Sequence, residues 1–345
     1  MLDPGPTPRI LITRLSAIGD CIHTLPLLSA LRSQFPNAYI GWVMQSAPAS
    51  LMKGHNALDA LITVDRRWLN NLKSIRSTRG ELSAHRFDIA IDPQSLTKSS
   101  LLGWLSGAQH RIGFASGQGR ELCPFLSTTR VVPQQAHVVD RYMELLRPLG
   151  VQNQKVRFEL PSRVHAHESV QRFVAQFGTT SFALLNPGAG WNSKCWPHER
   201  YAKVARHLSM KHGIRSVVVW SGKHERTWAE DIVAKSRNCT VLAPDTTLSE
   251  LAEFCGAAVM FVGSDTGPMH LSAAKGTPCV AMFGPTLISE CGPYGTGHEP
   301  LQAYYQDGSS RQRRGDDNSA MQAITVESVY AACDRIISAQ SIKVA

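Results

Sequence analysis

Residues 262–286 read VGSDTGPMHLSAAKGTPCVAMFGPT. An apolar run, Ala257–Val262, leads into this stretch and stops at Gly263-Ser264-Asp265-Thr266-Gly267-Pro268. Met269–Lys275 then has helical composition, and a second apolar run, Pro278–Phe283, reads as the next strand. Strand, glycine-rich turn, short helix, strand is the unit of a parallel sheet with crossover helices. Ser264 and Thr266 are available as caps, and Pro268 suits the first helical turn, where its missing N–H costs nothing. The unpaired N–H groups at such a helix start attract anions, so the turn is either a ready phosphate site or an ordinary capped loop. Asp265 sits beside it with a carboxylate that can accept a hydrogen bond from a neutral hydroxyl.

The same alternation runs outward from this unit. Upstream, helices are expected over His165–Phe177, His198–His212 and Leu248–Gly256, and from His224 onward. Strands are expected at Phe182–Leu185, Ser216–Trp220 and Thr240–Leu242. Nearer the N-terminus, Arg9–Thr13, Tyr39–Met44, Ala60–Val64, Phe87–Ile91 and Arg111–Phe114 read as strands, with a helix over Asp20–Phe35 whose Pro26 falls within its first two turns. Val151–Pro161 reads as a linker between two α/β domains, each an open parallel sheet wrapped on both faces. Thr325–Ser338 is a final amphipathic helix, and the polar segment Gln306–Ser319 reads as a mobile surface loop. Two such domains imply a cleft. The turns Arg14–Asp20, Asn186–Lys194, Trp220–Glu225 and Gly263–His270 stand at strand ends that should face it.

The 345 residues, of which 43% are hydrophobic, suffice for two ordinary globular cores. The net charge of +9 is scattered rather than blocked; nucleic acid is one reading of it, and anionic small molecules or an anionic membrane surface are others. No apolar run reaches the roughly 18 residues of a spanning helix, and MLDPGPTPR does not read as a secretory signal. Eight widely spaced cysteines without a CxxC pair read as buried thiols of a reducing cytoplasm.

Arg14–Asp20 lacks the GxGxxG spacing of a dinucleotide fingerprint. It offers Asp20 at a helix start, either as a first-turn acid favoured by the helix dipole or as a general base turned toward the cleft. NPGAGWNSKCWP, residues 186–197, places Lys194 among glycines and amides beyond a strand, where it suits a phosphate. DIAIDPQSLTK, residues 88–98, ends a strand in polar groups and Lys98, and Arg66, Arg67 and Arg111 add cations in the same half. Each is either solvated surface or part of a basic acceptor face. There is no D-x-D triplet and no histidine pair at helical metal-ligand spacing, so no metal is expected to bridge a diphosphate, and no cofactor is expected. A leaving diphosphate would rest on a helix N-terminus and a lysine.

GSDTGPMHLSAAKGTPCVAMFGPT, together with RLSAIGDCIHTLPLLSALR, FDIAIDPQSLTKS, NPGAGWNSKCWP and WSGKHE, resembles the bacterial heptosyltransferases of lipopolysaccharide core synthesis, glycosyltransferase family 9. The matches run in order from residue 9 to about 300. The resemblance implies two facing Rossmann-like domains of GT-B type: 1–155 for the acceptor, 156–325 for the nucleotide-sugar donor, and 326–345 as a helix returning to the N-terminal domain. It implies a metal-independent, inverting transfer of heptose from ADP-heptose to an anionic glycolipid at the inner face of the cytoplasmic membrane. By position, Asp20 is the implied base and Lys194 the donor-phosphate contact. Glu225 would hold the ribose, Asp265 the sugar hydroxyls, and Thr266, Gly267 and His270 the diphosphate. Arg66, Arg67 and Lys98 would meet the acceptor. The sequence departs from the family at Ala17, where inner-core enzymes often have serine.

Two other readings share these features. A nucleotide-sugar epimerase has the same two-domain fold but needs a carboxylate pair and no second substrate, and a basic N-terminal face argues against it. A non-catalytic nucleotide binder is compatible with the charge but gains no support from a basic–aromatic stripe or helix-turn-helix cue.

Overall fold

The computed structural model describes residues 2–344 apart from Gln118, Arg120, Asn153, Phe177, Thr179 and Thr180. The chain forms two units, Met1–Ser162 and Arg163–Ala345, so the boundary lies a few residues beyond the expected 155/156. The first holds six parallel strands: β1 (Arg9–Thr13), β2 (Tyr39–Met44), β3 (Ala60–Thr63), β4 (Ile89–Ile91), β5 (His110–Phe114) and β6 (Thr129–Val131), ordered β3-β2-β1-β4-β5-β6. The second holds β7 (Phe182–Asn186), β8 (Arg215–Val218), β9 (Thr240–Leu242), β10 (Met260–Ser264), β11 (Cys279–Phe283) and β12 (Glu299–Gln302), ordered β12-β11-β10-β7-β8-β9. Counted from its own first strand, each sheet has the Rossmann order 3-2-1-4-5-6, as the fold class expected.

The apolar runs became the central strands because helices cover both faces of a parallel sheet. FALLN of β7, MFVGS of β10 and CVAMF of β11 are buried at every residue. In register, Val262 of β10 lies between Leu185 of β7 and Val280 of β11. Two edge strands have no such run. β12 is EPLQ, half-buried throughout, with Pro300 tolerated because an edge strand needs fewer ladder donors. β6 is a three-residue edge strand.

The first helix spans Ile18–Gln34, two residues earlier than expected, and its residues from Cys21 to Leu31 are all buried. Pro26 therefore falls in its third turn, and the Ile22 carbonyl receives no bond from a residue-26 N–H. The helix expected over His165–Phe177 spans Val164–Gln176; Phe177 lies outside the described residues.

One expectation for the C-terminal segment is corrected. Gln306–Ser319 is not a free loop. It contains the helix Ser310–Gly315, where the Ser309 hydroxyl accepts the Gln312 N–H (3.3 Å) and the Gln312 side chain accepts the Ser309 N–H (2.9 Å). The segment is docked: Ser193 donates to the Arg313 carbonyl (2.6 Å), Arg313 to the Pro285 carbonyl (2.5 Å), and Asn318 to the Cys195 carbonyl (2.9 Å). The last helix, Val326–Val344, sets its apolar stripe Val329, Ala332, Cys333 and Ile336 into the core of the C-terminal unit, beside Leu208 and Val280. All eight cysteines are free.

Candidate active site

Parallel strands deliver their following turns to one edge of the sheet, and ligands gather where the strand order reverses, at β1/β4 and β7/β10 here. At the first of these, Arg14 follows β1 and Asp20 lies in the first turn of the Ile18–Gln34 helix. Arg14 is 5% exposed, and its guanidinium donates to Asp20 Oδ2 (2.6 Å) and to the Pro93 carbonyl (3.2 Å). Burial alone would make this guanidinium easier to deprotonate; Asp20 and Tyr142 outweigh that and raise its pKa, so Arg14 is a fixed cation. Asp20 also accepts the Ala17 N–H (3.2 Å). Its side chain remains 41% exposed, so the carboxylate is aimed from behind and open in front.

Behind this turn, buried Asp92 accepts the N–H groups of Gln94 (3.1 Å) and Ser95 (3.0 Å) and the Ser100 hydroxyl (2.5 Å). Burial pushes its carboxyl up, and these bonds pull the other way. Gln94 in turn accepts the Leu15 N–H (2.7 Å), tying the β4 turn to the β1 turn. Lys98 is exposed in the first turn of the Thr97–Leu105 helix after β4, and Arg66 and Arg67 are exposed after β3. All three stand at the carboxyl edge, but β3 and β4 are three strand spacings apart, about 14 Å, so they form no single cluster. Arg67 borders a hollow of about 510 Å³ that Asn70, Asn71, Lys73 and Glu81 also line. Arg111, expected among these cations, instead donates to the Leu126 and Ala108 carbonyls (both 2.7 Å) as a structural tie.

At the second reversal, four of the expected residues meet. Asp265 follows β10 and is 6% exposed. Its Oδ2 accepts from Lys194 Nζ (2.5 Å) and from the Thr286 hydroxyl (2.8 Å), and its Oδ1 lies 3.0 Å from His270 Nε2. Burial alone would push the carboxyl up, but Lys194 and His270 hold it well below the usual carboxylate range. Lys194 also lies 4.5 Å over the Trp191 ring, whose other cation is Arg314 at 4.9 Å, on the docked segment. Asn186, buried at the end of β7, donates to the Gly188 carbonyl (2.9 Å) and the Thr266 hydroxyl (3.4 Å), linking two of the turns.

The helix Gly267–Ala274 begins here with Thr266 as its N-cap residue and Pro268 in its first turn. The expected caps do not form. Thr266 turns its hydroxyl back to the Ser264 carbonyl (3.1 Å) and makes no side-chain cap bond to the helix start. Its leading N–H groups are thus left for an incoming acceptor beside an ammonium group, which is how proteins hold anions. Glu225, after β8, accepts the Ser221 N–H (2.8 Å), and burial pushes its carboxyl up. Its carboxylate occupies the space above Gly188; a Cβ there would lie 2.1 Å from Glu225 Cδ. Sequence reasoning gave no role to Arg14, Asn186 or Thr286. Thr286 closes the stretch that opened the reading, but a neutral hydroxyl carries no distinguishing signal.

Residues 75–318 match the family described as glycosyltransferase family 9 (heptosyltransferase). The chain belongs to that family. Among curated relatives, lipopolysaccharide heptosyltransferase 1 of Escherichia coli K12 is 28% identical over 299 residues, covering 83% of this chain and 91% of its own. Among solved structures, a family 9 glycosyl transferase from Veillonella parvula superposes with a TM-score of 0.85 at 25% identity, covering 98% of both chains. The E. coli heptosyltransferase WaaC with ADP-2-deoxy-2-fluoro heptose superposes with a TM-score of 0.73 at 25% identity, covering 96% of this chain and 99% of that one. Membership decides among the three readings of the sequence: this glycosyltransferase is neither an epimerase nor a non-catalytic binder. No helix among the described residues is long and apolar enough to cross a membrane.

Proposed function

We propose that this glycosyltransferase moves a heptose from ADP-heptose onto an anionic glycolipid of the lipopolysaccharide-core type, at the cytoplasmic face of the inner membrane, with inversion at the anomeric carbon. The observation that carries the donor assignment is the Lys194–Asp265–His270 cluster at an uncapped helix start. A relative with this fold holds an ADP-heptose analogue. In the reaction, the acceptor hydroxyl gives its proton to the Asp20 carboxylate as its oxygen attacks the anomeric carbon. The bond to the diphosphate breaks on the opposite face, and ADP departs. Lys194, with the Gly267 and Met269 N–H groups, takes up the charge on the leaving diphosphate. Asp265 and His270 orient the sugar and diphosphate, and Glu225 binds the ribose hydroxyls. Arg66, Arg67 and Lys98 meet the phosphorylated acceptor, with the hollow beside Arg67 as a place for it.

A thermal-shift panel of ADP-, UDP-, GDP- and CMP-sugars tests the donor. ADP-heptose at about 100 times its dissociation constant is expected to add ~2.7 kcal/mol of stability and the others little. A larger shift from a different nucleotide would replace the donor assignment.

The diphosphate is proposed to need no divalent ion, because its charge is met by Lys194 and a helix start rather than by a D-x-D carboxylate pair. Magnesium added to chelator-treated protein should therefore leave the rate unchanged; a rate that depends on magnesium would reject this assignment.

Gly188→Ala tests Glu225. The added methyl meets the movable end of a side chain rather than backbone, so the fold should tolerate it while the carboxylate is displaced. Donor affinity is expected to fall about 10-fold or more, the worth of a charge-assisted hydrogen bond. Unchanged donor affinity would remove Glu225 from the ribose.

A further inference from the structure

A group of metal-ligating side chains lies away from the carboxyl edge. His207 and His212 belong to the helix His198–His212, and Asp334 to the last helix. Asp334 Oδ1 is 2.8 Å from His207 Nε2 and 2.6 Å from His212 Nε2, and the three potential ligand atoms all lie within 4.8 Å of one another. The His207 ring is stacked on Tyr330 at 4.1 Å and 4°, and the two imidazoles stand at 71° to each other. Lys211 donates to the other carboxylate oxygen, Oδ2 (2.8 Å). The His198–His212 helix starts just after the Lys194 turn, and its 15 residues carry His212 about 20 Å along the axis from it.

We propose that His207, His212 and Asp334 form a zinc site that staples the last helix of the C-terminal unit to the His198–His212 helix. Two imidazoles and one carboxylate suit zinc and disfavour magnesium or calcium, which take oxygen donors. At zinc–ligand distances of about 2.0–2.2 Å, tetrahedral neighbours stand ~3.4 Å apart. The two histidine–aspartate contacts of 2.8 and 2.6 Å therefore open by under an ångström on binding, while the two imidazole nitrogens, within 4.8 Å of each other, settle to the same separation. Each imidazole must present a bare Nε2, so a proton there moves to Nδ1 or, from a charged ring, to water; a water fills the fourth position. Lys211 engages Oδ2, which leaves Oδ1 for the ion, and at 56% exposure its ammonium can swing into solvent as the cation arrives. Such an ion would act on stability and lie apart from the transfer chemistry, so the proposal does not rest on the donor or acceptor assignments.

The test uses the full chain without a histidine tag, stripped by chelator. Calorimetric titration with zinc chloride should give one ion per chain, and the melting temperature should rise by several degrees. Cobalt(II) in its place should give the intense visible bands of a four- or five-coordinate ion with nitrogen ligands. Magnesium should do nothing. His212→Gln and Asp334→Asn should each weaken zinc by at least about 10-fold, since even partners one shell further out are worth that much, and should abolish the cobalt bands. Absence of a wild-type isotherm would overturn the proposal. So would the weak spectrum of a hexa-aquo-like cobalt ion, a reading on the wild type that needs no variant to fold. An isotherm that both variants retain would place the ion elsewhere among the 13 histidines and equally overturn it.

Discussion

Asp20→Asn is expected to cut the turnover number by ~10²–10⁴-fold while leaving donor affinity where it was. An alcohol is far too weak an acid to attack as it stands, so a carboxylate must take the proton as the bond forms. Asparagine keeps the shape of Asp20 and can still accept the Ala17 N–H and one guanidinium bond, but it cannot act as a base at neutral pH. The structure adds a second consequence. Asp20 is the ionic partner of a buried arginine, so the variant leaves Arg14 with the Pro93 carbonyl and a neutral amide. Because the Asp20 end of the pair is 41% exposed, solvent screens the loss, and about 1 kcal/mol, a few degrees in melting temperature, is expected. Turnover and melting temperature measured on the same sample separate the roles. A small drop in melting temperature with near-normal turnover would reduce Asp20 to a helix-start acid paired with Arg14.

Lys194→Ala is expected to weaken donor use by about 10–100-fold with little change in the acceptor constant, the range set by one charge-assisted hydrogen bond of roughly 1.5–3 kcal/mol. This ammonium is held by Asp265, so on the proposed reading donor binding would shift a cation from a buried carboxylate toward a phosphate. Among the described residues, the variant leaves the Asp265 carboxylate the His270 ring, the Thr286 hydroxyl and the Cys291 thiol as partners. Its melting temperature without donor should therefore fall, and added donor should restore much less of it than in the parent protein. An altered acceptor constant beside an unaltered donor constant would move Lys194 to the other substrate.

The parts of the fold that could be read from sequence are those that burial makes monotonous. β7, β10 and β11 are apolar at nearly every position because helices cover them twice, whereas β12, with glutamate, proline and glutamine on an edge, has the composition of a loop. Turn chemistry was legible for the same local reason: glycine, small hydroxyl and aspartate at 263–267 mark a strand-to-helix turn wherever they occur. Pairing was not legible. Lys194 and Asp265 are 71 residues apart, and only the neighbouring positions of β7 and β10 bring their turns together. Arg14 drew no notice because nothing in a sequence says that a guanidinium will be buried. The stripe Val329–Ile336 announced an amphipathic helix without naming the core it would join. His207 and His212 are five apart, outside the three- or four-residue spacing of a helical ligand pair, and share one carboxylate because Asp334 arrives from the last helix.

Because the last helix packs into the C-terminal core, the unit proposed to bind the donor is one uninterrupted length of chain that begins at Arg163. A hybrid with another family member is thus expected to need a single splice near residue 162. On the proposed assignment, donor preference should travel with everything downstream of that splice and acceptor preference with everything upstream, which would make the two halves separately exchangeable parts for building new sugar linkages.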